Sequence, residues 1–205
     1  MSRETQDTKN YVSILASDGT FRLSVPEGTP GEVKREWEVD GKKGTKNEIV
    51  YKSLTGKISG VSFVTADFGK LLQVTLLDEE GELTISTSAS NNFATDLMKK
   101  LPSLDLSQEY KFKPYSFEDD KGKTLKGVSI TLGEEKMKNF FYDGTENTNG
   151  FPSPKDGGKG FTKNKWKAYF GEVEDFLIEY TEKNFQDIEK PVAQPHEVNP
   201  EDVPF

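Results

Sequence analysis

The sequence has no cysteine, a single histidine and no long hydrophobic run. Without cysteine, the chain cannot form a disulfide framework, a thiolate metal site or a cysteine nucleophile. The only histidine, His196, lies in an acidic stretch with spaced prolines, so no Ser/His/Asp triad is expected. No stretch of about 18 apolar residues occurs, and the first residues have no apolar core. We therefore expect a cytoplasmic protein without a membrane segment or export signal.

Negative charge predominates, but it is unevenly distributed. The 205 residues carry a formal charge of −8, of which −3 belongs to the last ten residues. Residues 41–60 contain five lysines and one glutamate, and residues 151–170 contain five lysines and one aspartate, so each segment carries +4. Because phosphate binding depends on local lysine and arginine, such segments can bind a polyanion even in an acidic chain.

The C-terminal segment is acidic and rich in proline. Too little apolar surface is present to order it, so residues 188–205 are predicted to be a disordered tail, as are residues 1–10. The tail ends in a five-residue tip formed by Glu201, Asp202, Val203, Pro204 and Phe205. In this tip the ring can imitate a base and the carboxylates can imitate phosphates, so the tip can compete for a basic groove. The alternative is a solvated acidic terminus that ends in phenylalanine.

The residues between these termini, 11–187, are predicted to form one domain that begins with a β-hairpin. Its strands are expected at 11–16 and 20–25, joined by a Ser-Asp-Gly turn in which Gly19 adopts positive φ. Residues 40–44 contain two glycines and two lysines, and they are predicted to form a flexible loop.

A single long, curved strand is predicted over residues 49–64. The run is strand-like, yet Gly56 and Gly60 interrupt it, and glycine inside a strand usually marks a bulge or a bend. Alternating apolar residues predict four further strands, at 70–77, 82–88, 109–117 and 125–132.

Two helices are predicted. The first follows residue 88, is capped by Ser90 or Asn91, and ends at Pro102, because the residue before proline is pushed out of the helical region. The second covers residues 163–187, where an aromatic stripe that includes Trp166 recurs at helical spacing and indicates packing. A glycine- and aromatic-rich excursion at 133–162 separates this helix from the strands.

The order of these elements predicts a mainly β protein. A curved strand, two strands, a helix and two strands follow one another, which is the order of the five-stranded Greek-key barrel called the OB-fold, with one helix between strands 3 and 4. The N-terminal hairpin and the C-terminal helix are then additions to this OB-fold-like domain.

The best candidate binding surface lies on the strand 109–117. A period of two places Lys111, Lys113, Tyr115 and Phe117 on one face, where lysines can contact phosphates and rings can stack on bases. The alternative is that the two rings belong to the core and that the lysines border an edge strand.

Other lysines and rings are candidates for the same role. They occur in three segments, namely the first long strand, the loop before it and the excursion; Phe151 and Phe161 are expected to be exposed. The candidates are Tyr51, Lys52 and Lys57, then Lys42, Lys43 and Lys46, then Phe151, Lys155, Lys159, Phe161 and Lys163.

Taken together, these features resemble the single-stranded DNA-binding proteins of bacteriophages, which join an OB-fold to an acidic tail ending in an aromatic residue. The tip at 201–205 is similar to that of the bacterial single-stranded DNA-binding proteins. The motifs Leu-Thr-Gly at 54–56, Phe-Gly-Lys at 68–70 and Leu-Gln-Val at 72–74 resemble a phage family of this type. About 45 residues precede the OB-like strands, unlike in the bacterial proteins, so their stacking residues cannot be transferred to this chain.

Because the residues offer few signals of an enzyme, we expect a non-enzymatic protein without a cofactor or metal, and the resemblance implies its role. It would coat single-stranded DNA during phage DNA replication, recombination or repair in the host cytoplasm, as a monomer or homodimer. The tip would recruit replication or recombination proteins.

Two other functions remain open. The OB-like domain could bind a peptide instead of a nucleic acid, with the tail serving solubility. A metal-dependent nuclease would use acidic residues such as Asp119 and Asp120, but these lie at a predicted turn, where carboxylates are typically solvated.

Overall fold

The computed structural model describes residues 10–39, 41–67 and 69–185, which form one mixed ten-stranded sheet and two α-helices. The strands are β1 (Asn10–Leu15), β2 (Thr20–Ser24), β3 (Val33–Val39), β4 (Lys42–Tyr51), β5 (Leu54–Ala66), β6 (Gly69–Asp78), β7 (Gly81–Ser88), β8 (Glu109–Glu118), β9 (Thr124–Leu132) and β10 (Glu135–Lys136). The helices are α1 (Asn92–Lys100) and α2 (Lys163–Phe185). The prediction of a mainly β protein is confirmed.

The sheet is open. Its strand order is β10-β9-β8-β5-β6-β7-β1-β2-β4-β3, and every neighbouring pair is antiparallel except β1 and β7. The predicted N-terminal hairpin is confirmed as β1 and β2, and it extends the sheet from β7. Because β7 pairs with β1, it is not joined to β9, and the strands do not close into a five-stranded barrel.

The apolar residues of the central strands lie where their alternation predicts. Leu72, Val74 and Leu76 of β6 are buried, and Val74 lies opposite the buried Ile85 of β7. On β8 and β9, Phe112 lies opposite Ile130, and both are fully buried. These residues pack with α1 in one core, because one face of each strand is apolar.

Two predictions of local structure around residues 40–53 are wrong. Residues 42–46, predicted as a flexible loop, belong to the strand β4, of which residues 42–48 pair with β3. The predicted single strand over 49–64 is interrupted at Lys52 and Ser53. As a result, the Tyr51 end of β4 lies beside β2, whereas Leu54 begins β5 beside β8. The predicted irregularity at Gly60 is confirmed, since the β5–β6 register shifts between Ile58 and Gly60.

The sequence of β4 is rich in lysine and offers little apolar surface to bury. The strand is stabilised instead by specific contacts with its neighbour β3. The Trp37 indole of β3 lies over Gly44, where a Cβ atom would be 2.8 Å from the ring. The Arg35 guanidinium donates two hydrogen bonds, of 2.8 and 2.6 Å, to the buried Glu48 carboxylate. These hydrogen bonds lower the pKa of Glu48, and burial opposes them.

The first helix forms as predicted. The Asn91 side chain accepts a 2.9 Å hydrogen bond from the Ala94 amide and so caps the N-terminus of α1. Phe93, Leu97 and Met98 are buried against the sheet. Residues 101–103, which include Pro102, continue as a 3₁₀ turn.

The second helix is also present where it was predicted. Its buried residues, from Val173 to Phe185, all lie beyond its first two turns. Neither this helix nor α1, in the part of the chain that the structure describes, is long and apolar enough to cross a membrane.

Candidate nucleic-acid interface

The predicted face of β8 exists and points away from the core. Along this strand, Tyr110, Phe112 and Pro114 are buried, whereas Lys111 and Lys113 are exposed. We call Lys111, Lys113, Tyr115 and Phe117 the β8 outer face. The prediction that these four residues share one side of the strand is confirmed, and the rings do not belong to the core of the sheet.

The two rings of the β8 outer face differ in accessibility. Phe117 is 53% exposed, and its ring centroid lies 5.8 Å from that of Tyr115. Tyr115 is half-buried, because its phenol group lies against Gly127 and close to the Asp96 carboxylate. Burial and, second, the Asp96 charge raise the pKa of the Tyr115 phenol. Phe117 is therefore the ring that a ligand can reach, and Tyr115 supports it from one side.

The lysines of the β8 outer face lie among hydroxyl groups. Lys111 lies between Thr55 of β5 and Thr131 of β9, and Lys113 lies opposite Ser129 of β9. Neither lysine forms an ion pair with a residue that the structure describes. Their positive charges are therefore available to an anion from solvent.

The hairpin tip holds the aromatic end of β8 in place. The Ser116 hydroxyl donates a 3.0 Å hydrogen bond to the Ala16 carbonyl. Gly19 has a φ of +63°, and a Cβ atom there would lie 2.6 Å from the Ser116 nitrogen. Only glycine allows this close approach, so the turn between β1 and β2 is fitted to the backbone beside Tyr115.

The residues predicted on the first long strand do not extend the β8 outer face as one row, because β4 and β5 are separate. Tyr51 is half-buried and packs against the core, and burial raises the pKa of its phenol. Lys57 lines a groove with four carboxylates, namely Asp78, Glu79, Glu80 and Glu109. This acidic surrounding opposes phosphate binding at Lys57. Lys52 is exposed in the connection between the strands.

The three lysines that were predicted in a loop lie on strand β4. Lys43 forms a 3.1 Å ion pair with Glu38 of β3, and Lys42 is exposed near the start of the strand. Lys46 is exposed and lines a groove on the outer side of β1, β2 and β7.

Sequence patterns did not predict this groove. It has a volume of about 460 Å³, and its lining includes Tyr11, Ser13, Arg22, Lys46, Ser86 and Ser88. Tyr11 is 42% exposed, whereas Arg22 is held by an ion pair with Asp18. The period-two alternation of β1 and β7 is a signal from which the outward direction of these side chains could have been predicted. The parallel pairing of β1 with β7, which brings them together, has no local sequence signal.

The excursion places its predicted residues in different surroundings. Phe151 was expected to be exposed, but its ring packs against Phe141 at 5.4 Å and Phe176 at 5.6 Å. That prediction is wrong, because the ring helps to fix the excursion to α2. Phe161 is half-buried against Trp166, and the three lysines at 155, 159 and 163 are exposed. The C-terminal tip, from Glu201 to Phe205, lies outside the described residues.

The acidic turns have structural roles. Asp78 accepts hydrogen bonds from the Glu80 and Gly81 amides, and Asp119 accepts them from the Lys121 and Lys123 amides. Within residues 10–39, 41–67 and 69–185, no group of three or more histidine, aspartate or glutamate side chains is arranged to hold a metal ion.

Comparisons with known proteins found no match among protein-family models, curated proteins or solved structures.

Proposed function

We propose that this protein binds single-stranded DNA without sequence preference and that the β8 outer face is the centre of its binding surface. The observation that supports this proposal most directly is the exposed Phe117 ring on the same strand face as two lysines that form no ion pair with a described residue. An aromatic ring can stack on any base, and lysine contacts phosphate regardless of sequence.

Strand connectivity supports the same function. Strand β5 pairs with β6 and β8, β6 pairs with β7, β8 pairs with β9, and α1 lies between β7 and β8 in the chain. We take β5 to β9 as an open OB-type unit, to which the N-terminal hairpins are added. OB-folds bind oligonucleotides on the face of strands 2 and 3 and with the loop between strands 4 and 5. Phe117 lies beside the corresponding loop, between β8 and β9, and the groove that contains Ser86 and Ser88 lies on the third strand, β7.

The net negative charge is compatible with this function. A single DNA strand that crosses the β8 outer face would contact Lys111 and Lys113. The acidic groove around Lys57 would repel its phosphates. In our proposal the acidic C-terminal tip competes with DNA for this surface and, when displaced, recruits replication or recombination proteins. Together with the resemblance to phage proteins, this suggests a role in coating exposed strands in the cytoplasm of an infected bacterium.

The test is a titration of a fluorescently labelled oligothymidylate, followed by anisotropy at two salt concentrations. We expect Lys111→Gln/Lys113→Gln to weaken binding and to reduce its salt dependence, because log K falls with log salt by about 0.7 per phosphate contact for single strands. Phe117→Ala should weaken binding with little change in salt dependence.

The control is Lys34→Gln/Lys183→Gln, which changes the net charge equally at two exposed lysines outside the proposed surface; at Lys34 it also removes an exposed ion pair with Glu27. Equal losses of affinity in both double variants would show that only the net charge of the protein determines binding. Equal affinity of the wild-type protein for duplex and single strand at low salt would refute the single-strand assignment. Retention of a peptide ligand without oligonucleotide binding would support the alternative, a protein-interaction module.

A further inference from the structure

Apart from Tyr169, which packs against the protein core, the first two turns of α2 extend past the edge of that core. Val173 and Leu177 are buried, and Trp166 and Phe170 precede them on the same side of the helix at spacings of three or four residues. Phe170 is nevertheless 60% exposed. The apolar face of the helix thus continues beyond the core that covers its second half.

The rings at this end of α2 form an ordered cluster. Trp166 and Phe170 are stacked, with centroids 5.7 Å apart and planes at 24°, and the Phe161 ring contacts Trp166 at 5.2 Å. The indole lies over Gly158, where a Cβ atom would be only 2.6 Å away. The indole is therefore held in place on one side, while the adjacent Phe170 ring is open to solvent.

Four lysines lie near this cluster in the chain, and the Lys165 ammonium is 5.9 Å from the centroid of the Phe161 ring. Residues 157–171 contain Lys159, Lys163, Lys165 and Lys167 and no acidic residue, so the segment carries +4. All four lysines are exposed, and none forms an ion pair with a described residue. Lys163 and Lys167 are one helical turn apart and lie next to Phe170 around the helix axis.

We propose that Trp166, Phe170, Lys163 and Lys167, which we call the α2 patch, form a second stacking site for single-stranded nucleic acid. This inference rests on the proposed function and extends it to a separate surface. A purely apolar partner would gain nothing from four lysines, whereas a polyanion with flat, stacking bases matches both the charge and the rings. A long oligonucleotide would then contact both the β8 outer face and the α2 patch, and a short one only one of them.

The two tryptophans of the chain allow a direct test. In Trp37→Phe, which changes a residue outside both surfaces, Trp166 is the only remaining tryptophan and reports on the α2 patch. We expect a 30-nucleotide oligothymidylate to quench its fluorescence as the anisotropy of the same labelled oligonucleotide rises to saturation. In the Trp37→Phe background, Phe170→Ala should lower the affinity for this oligonucleotide at least about 5-fold, which corresponds to the loss of one weakly stacked base.

A second variant tests whether Phe170→Ala weakens binding only by unfolding the start of α2. Lys163→Gln/Lys167→Gln keeps both rings, and we expect it to weaken binding more than Lys34→Gln/Lys183→Gln does. Unchanged Trp166 fluorescence at oligonucleotide saturation would overturn the α2 patch and leave the β8 outer face intact. Quenching by an acidic aromatic peptide but not by the oligonucleotide would also overturn it, in favour of a protein-binding site. Absence of any oligonucleotide binding by anisotropy would refute the proposed function, and the second site with it.

Discussion

Asp96 and Lys100, one turn apart on α1, form a 2.7 Å ion pair. The pair binds both backbone groups of Val128, in the middle of β9. The Val128 amide donates a 2.7 Å hydrogen bond to the Asp96 carboxylate, and the Lys100 ammonium donates one of 2.7 Å to the Val128 carbonyl. The helix thus satisfies backbone groups that another strand would otherwise pair with. This contact contributes to keeping the sheet open at β9.

Loss of the Asp96 carboxylate should therefore destabilise the protein. Asp96→Ala leaves the buried Lys100 ammonium without its partner and the Val128 amide without its acceptor, so we expect a loss of about 1.5–3 kcal/mol in the free energy of unfolding. Asp96→Asn, which keeps an oxygen acceptor, should lose less. Urea unfolding followed by circular dichroism measures both. A change within about 0.5 kcal/mol for Asp96→Ala would contradict this role.

Gly127 should not tolerate a side chain. A Cβ atom at this position would collide with the Tyr115 hydroxyl and with the Asp96 carboxylate, which cannot move aside freely because the Lys100 ammonium and the Val128 amide hold it. We expect Gly127→Ala to cost about 1–3 kcal/mol, as overpacking typically does. Gly60→Ala is the matched control, because a Cβ atom there would lie 3.7 Å from the nearest atom, an ordinary contact. Thermal unfolding of both variants is the measurement, and equal stabilities would argue against a close fit around Tyr115.

The ion pair between Arg35 and Glu48 predicts a pH dependence of stability. Hydrogen bonds from Arg35 hold the pKa of Glu48 below its ordinary value of about 4.3 in unfolded chains. A carboxyl group whose pKa is lowered by folding stabilises the protein above its unfolded pKa, and that stabilisation is lost as pH falls through the folded pKa. We expect Glu48→Gln to be less stable than wild type at pH 6.5, with the difference shrinking below about pH 4.

Urea unfolding of wild type and Glu48→Gln over this pH range tests the prediction. Glu134, an exposed carboxylate in the turn before β10, gives the control variant Glu134→Gln. A gap between wild type and Glu48→Gln that is constant with pH would indicate that Glu48 acts through packing alone.

Deletion of residues 191–205 tests the competition by the C-terminal tip. If the acidic tip and DNA compete for the same lysines, the shortened protein should bind oligothymidylate more tightly, and the gain should diminish as salt rises. Phe205→Ala in the full chain separates the contribution of the ring to this competition from that of the carboxylates. An unchanged affinity after deletion, measured by anisotropy at low salt, would refute competition by the tip.

Much of the fold could be predicted from local patterns. The alternation in β6, β7 and β8, the Asn91 cap of α1 and the start of α2 at residue 163 each depend on neighbours along the chain. Strand β4 could not be predicted in this way, because its first half, with three lysines and a glycine, has no apolar alternation. That strand depends on Trp37 lying over Gly44 and on Arg35 binding Glu48, and both contacts connect residues from different strands.

The sequence alone determined which side of β8 carries lysines and rings, because strand periodicity is local and fixes the face of every residue. The tertiary structure decided which of those groups a ligand can reach. It left Phe117 exposed, placed Tyr115 beside Asp96, surrounded Lys57 with carboxylates and packed Phe151 against α2. The physical reason is that exposure and electrostatic surroundings depend on residues far apart in the chain, which only strand pairing and packing bring together.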